Sequence, residues 1–150
     1  MFKTICGATL VALLPLTSHA ATQTLNYADF SSVAGLQLNG NASQLGDKLN
    51  LTPATYYQSG SAFSTNPIAL TADASFSSAF SFEILNRGGL GNGADGLVFA
   101  IQTNANNVGG AGGGIGFAGI PNSVGVEFDT YDNGEPGGSN HVGIDRKSVV

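Results

Sequence analysis

The chain has no tryptophan and a single cysteine, Cys6, among its 150 residues. Cys6 falls in an export leader: Lys3 gives a positive start, residues 5–16 are mostly apolar, and Ser18-His19-Ala20 is a small-x-small cleavage site. The apolar run is too short to cross a bilayer as a helix. Residues 1–20 are therefore expected to be a signal peptide, and Cys6 and His19 leave with it. The remaining 130 residues, 150 less 20, have no cysteine, which excludes disulfides, a thiol nucleophile and a zinc–sulfur centre. His141 is then the one imidazole, so a nucleophilic triad has little support. Cations are scarce as well. Lys48, Arg87, Arg146 and Lys147 stand against ten acids, a net of −6, which leaves no basic face for nucleic acid. Such a balance suits a secreted or cell-surface protein that uses acids to hold cations.

Sustained helical periodicity is also missing; what is there alternates with the period of a strand. Residues 76–84 put Phe76, Phe80, Phe82 and Ile84 on one face and Ser77, Ala79, Ser81 and Glu83 on the other. Leu97, Phe99 and Ile101 alternate with Val98, Ala100 and Gln102, as in a central strand apolar on both faces. Shorter strands are expected at 36–38, 48–51 and 115–117. Asn39-Gly40 and the runs 87–93, 104–114 and 133–139 carry turn chemistry. This spacing indicates an all-β antiparallel sandwich or jelly roll without a βαβ unit, an internal repeat or a domain boundary. The stretch "VGGAGGGIGF" (108–117) has the glycines of a phosphate-binding loop but no helix after it, so a nucleotide site is a poor reading. It reads as a flexible loop or as a place where a ligand approaches the backbone closely.

The stretch "VGVEFDTYDNGEPGGSNHVGID" (124–145) is where chemistry concentrates. Val124, Val126 and Phe128 share one strand face, and Glu127, Asp129 and Tyr131 alternate onto the other. Two carboxylates on one face repel unless a positive charge sits between them. Asn133 and His141 follow closely, and together these residues are the parts of a metal site. Calcium takes 6–8 oxygens, carbonyls included, whereas an imidazole favours a softer ion such as manganese. Taken singly, the two acids would suit a solvated edge strand, and His141 an ordinary surface imidazole.

At "GADGLVFAIQ" (93–102), "GGGIGF" (112–117) and "VGVEFDTYDN…HVGID" the chain resembles the legume-type (L-type) lectins, and "GIPNSVGVEFDT" (119–130) is similar to their bacterial exported members. The resemblance runs from about Leu25 onward, with three motifs in order. It implies a concanavalin A-like β-sandwich that binds glycans or polysaccharide without catalysis. Asp95, after a cis peptide from Ala94, would bond sugar hydroxyls together with Asn133 and the Gly113 amide. The transition-metal site, for Mn2+, would use Glu127, Asp129 and His141. The Ca2+ site would share Asp129 and add the Tyr131 carbonyl and Asn133. The family's aspartate about five residues before the histidine is here Pro136, and Glu135 or Asp132 is the available substitute.

Family domains continue through further strands, so residues 21–150 are expected to be the N-terminal part of such a domain, its sandwich incomplete. Residues 145–150, "DRKSVV", are what GATCGGAAGAGCGTCGTG of a common sequencing adapter encodes, and are expected to be adapter-derived. A homo-oligomer is compatible with the family. Two other functions compete. "EFDTYD" (127–132) looks somewhat like the Glu-x-Asp-x-x-Glu of laminarinase-like glycosidases, which need two carboxyls about 5–5.5 Å apart. A structural surface protein that has lost sugar binding is the other, supported by a metal loop shorter than in the plant pattern of the family.

Overall fold

The structure, a computed structural model, describes residues 22–147 apart from 71, 72, 89, 92, 105, 107 and 108. The expected signal peptide and the last three residues of the tail lie outside the described residues. Among the described residues seven strands follow in chain order: β1 (Leu36–Gly40), β2 (Ser43–Leu45), β3 (Lys48–Asn50), β4 (Gly60–Ser64), β5 (Gly96–Gln102), β6 (Ser123–Asp129) and β7 (His141–Lys147). All pairings are antiparallel: β1 with β4, β2 with β3, and the sheet β5-β6-β7. The only helical element among the described residues is a 3-10 turn at Gly112–Gly114. The all-β antiparallel architecture expected from the alternation is thus present.

The sheet β5-β6-β7 positions the chemistry. Its register runs from Gly96↔Asp129 to Gln102↔Ser123 on one side, and from Asp129↔His141 through Glu127↔Gly143 to Ser123↔Lys147 on the other. Because cross-strand partners share a face, Gly125, Glu127 and Asp129 lie with Val98, Ala100, His141 and Gly143. Leu97, Phe99, Ile101, Val126, Phe128, Val142 and Ile144 lie on the opposite, apolar face.

The apolar face is covered over β5 and β6 by residues 76–82. The Phe80 ring stacks on Phe99 at 5.3 Å between centroids, and Phe82 tilts onto Phe128 at 4.8 Å. A groove of about 370 Å³ opens there between Phe76, Phe80, Phe99, Val126 and Phe128. The strand expected at 76–84 is not formed. The alternation correctly reports which rings face the sheet, but a strand also needs a backbone ladder, and these residues make contact through their rings. On β7 the same face is open, with Val142 66% and Ile144 80% exposed.

The other face is covered by the glycine-rich connection between β5 and β6. Phe117 and Ile120 are the most buried apolar side chains among the described residues, at 3% and 4% exposure. A Cβ on Gly125 would come within 2.7 Å of Val98 Cγ1 and 3.0 Å of the Phe117 ring, so glycine lets this ring approach the sheet closely. The short strand expected at 115–117 is absent. Ile115 instead takes a left-handed conformation (φ 48°), ending the 3-10 turn. The loop is held by Gly109 N–H to Gly116 O and Gly110 N–H to Ala118 O, at 2.8 and 2.7 Å. Residues 109–118 thus form a hydrogen-bonded cover.

Candidate carbohydrate and metal site

The site lies where β5 begins, β6 ends and β7 begins. Asp129 closes β6, is 5% exposed, and pairs directly with Gly96 on one side and His141 on the other. Its Oδ1 accepts the Tyr131 N–H at 2.7 Å, which turns the chain out of the strand and into the loop that returns to β7. Glu127, two residues earlier on the same face, faces Gly143. A Cβ on Gly143 would collide with Glu127 Oε1, so the glycine makes room for the carboxylate.

His141 is oriented through both ring nitrogens. Nδ1 lies 2.6 Å from the Gly138 carbonyl oxygen, which can only accept, so Nδ1 carries the proton. Nε2 then points to Glu127 Oε1, 3.6 Å away. The Gly138 hydrogen bond holds the imidazole above its ordinary pKa, with the fields of Asp129 and Glu127 adding to it and burial opposing. A backbone carbonyl fixing one ring nitrogen so that the other is free is the arrangement of metal-ligating histidines.

Among the described residues, Asp129, Glu135 and His141 offer ligand atoms that all lie within 4.8 Å of one another. Glu127 stands beside this trio, against His141. Of the two substitutes named for Pro136, the fold brings in Glu135. Asp132 is exposed, and its Oδ1 accepts the Gly134 N–H at 2.8 Å. Glu135 Oε1 is buried without a hydrogen-bond partner. A buried carboxylate oxygen with no donor is costly, and a cation meets that need. The donor set of carboxylates plus one imidazole therefore fits a transition metal.

Asp95, Gly113 and Asn133, from three separate loops, also come together. The Ala94–Asp95 peptide is cis. The Asp95 carbonyl accepts both the N–H and the hydroxyl of Thr130, at 2.8 and 3.1 Å, anchoring the aspartate to the end of β6. Its Oδ1 accepts from Asn133 Nδ2 at 3.3 Å. The same Asn133 amide lies over Gly113, where an added Cβ would sit 2.9–3.1 Å from the side chain. Thr130 was not singled out from the sequence. Its place in "EFDT", next to Asp129, is the signal that could have found it.

The legume lectin domain matches residues 22–150. The chain belongs to the legume lectin family. A similar relative is the L-type lectin-domain containing receptor kinase VIII.1 of Arabidopsis thaliana, 40% identical over 112 residues, a match covering 70% of this chain and 14% of that protein. The chain thus spans a small fraction of that relative's length, and the kinase in its name belongs to that protein. Carbohydrate binding is what the lectin domain implies. No helix among the described residues is long and apolar enough to cross a membrane.

Proposed function

We propose that this protein is an exported, non-catalytic lectin of the bacterial type, acting in secreted or cell-surface form on glycans or polysaccharide. Its sugar pocket is Asp95, Asn133 and the Gly113 amide, supported by Ca2+ and a transition metal such as Mn2+. The observation that carries the reading is the convergence of Asp95, Asn133 and Gly113 from positions 95, 113 and 133 onto one small patch beside the metal-type donors. An aspartate acceptor, an amide that both donates and accepts, and a backbone N–H suit the vicinal hydroxyls of a sugar ring.

Glu127, Asp129 and His141 would hold the transition metal, and Asp129, the Tyr131 carbonyl and Asn133 the calcium. Bound cations would neutralise the acids and hold the loop 130–140. Every other role belongs to the chain: Thr130 fixes the Asp95 backbone, Gly113 leaves the space that Asn133 occupies, and Gly138 sets the His141 ring. The glycosidase reading asks Asp132 to work with Glu127, but Asp132 is exposed and engaged with the Gly134 N–H.

Asp95→Asn tests the proposal. It keeps the size of the side chain but turns one acceptor into a donor, which costs ~1–3 kcal/mol for each sugar hydroxyl left unmatched. Glycan-array binding should disappear while the melting temperature stays. Wild-type binding by Asp95→Asn, or polysaccharide hydrolysis that is lost in Glu127→Gln, would refute the non-catalytic lectin reading.

A further inference from the structure

In this chain residue 136, where the family resemblance places an aspartate ligand, is a proline with no donor to offer. One residue earlier, Glu135 puts a carboxylate oxygen within 4.8 Å of ligand atoms of both Asp129 and His141. The loop doubles back through Gly134, Gly137 and Gly138, all at positive φ, and the side chain of Glu135 is one methylene longer than an aspartate's. Backbone path and reach together bring this carboxylate inward.

Two independent features ask for a cation at that point. The first is Glu135 Oε1, buried and without any hydrogen-bond donor. The second is the imidazole. With Nδ1–H committed to the Gly138 carbonyl, Nε2 is turned toward the acidic side of the site, 3.6 Å from Glu127 Oε1. A metal ion held by Asp129, Glu135 and His141 would meet both needs.

We propose that Glu135 is a direct ligand of the transition-metal ion, together with Asp129 and His141, and fills the place that Pro136 cannot. The inference rests on the metal-supported lectin reading above. Carboxylate and imidazole together select an ion such as Mn2+ over Ca2+, which takes oxygen ligands.

The test is titration of the full chain with Mn2+, free ion being read by electron paramagnetic resonance, for wild type, Glu135→Gln and Asp132→Asn. Losing even an outer-shell partner of a metal ligand weakens binding about 10–100-fold, so Glu135→Gln should weaken Mn2+ binding by about 100-fold or more. Asp132→Asn removes the same charge from an exposed acid of the same loop and should leave affinity nearly unchanged. In chelator, Glu135→Gln should melt no lower than wild type, because it neutralises an orphaned buried carboxylate; this also verifies that the variant folds. Wild-type Mn2+ affinity in Glu135→Gln, an equal loss in Asp132→Asn, or a lower melting temperature in chelator would overturn the assignment. So would a wild type that binds glycan without taking up Mn2+, and that result would leave the sugar-binding proposal standing. Loss of glycan binding in Asp95→Asn with Mn2+ uptake intact would keep the two proposals separate.

Discussion

Asp129→Asn separates two opposing consequences of the same charge. The side chain is 5% exposed, and a Glu135 oxygen lies within 4.8 Å of one of its ligand atoms. Two negative charges at that separation repel by about 3.5 kcal/mol at an effective dielectric of ~20, partly offset by the imidazole opposite. The amide retains an oxygen for the Tyr131 N–H, so the turn out of β6 survives. In chelator the variant should therefore be as stable as wild type, or more stable by ~1–3 kcal/mol. With Mn2+ at about 100 times its Kd, wild type should gain ~2.7 kcal/mol, which for a domain of this size is a rise of about 10 °C in Tm. The variant should gain almost nothing. Thermal unfolding followed by circular dichroism, in EDTA and in Mn2+, reads all four values. A variant that keeps the Mn2+ shift, or that loses more than about 2 kcal/mol in EDTA, would refute the reasoning.

Gly113→Ala places a Cβ against the Asn133 amide; glycan affinity should fall about tenfold or more, in line with one lost hydrogen bond, with Mn2+ uptake unchanged, as isothermal titration would report. Phe117→Ala empties the covered side of the sheet at a residue 3% exposed, and should cost ~3–5 kcal/mol in urea unfolding. The raised pKa of His141 makes the metal-free protein gain stability from its proton below the unfolded imidazole value and lose it as pH rises through the folded one. Metal binding requires the neutral ring and runs the other way. The Tm difference between Mn2+ and EDTA should therefore grow from about pH 6 to about pH 8, and His141→Gln should flatten it.

The residue pattern by itself determined the class of fold and one strand face of the site. Alternation in residues 97–102 and 124–129 has a period of two whatever surrounds it, so the apolar and acidic faces of β5 and β6 could be read directly. The same local rule also led to the strand expected at 76–84, because alternation reports a buried face and is silent on whether a hydrogen-bonding neighbour exists. The covering residue Ile120 carried no periodic signal and Phe117 only that of the short strand expected at 115–117, since burial here comes from a loop that sets Phe117 over Gly125. Asp129 and His141 are twelve positions apart in sequence, and only the register of β6 on β7 makes them direct neighbours. Between Glu135 and Asp132 the sequence offered two acids of equal merit. The choice fell to the loop's path, which buries one carboxylate oxygen beside Asp129 and leaves the other acid in solvent, because a side chain's neighbours are set by where the backbone turns and not by its distance along the chain.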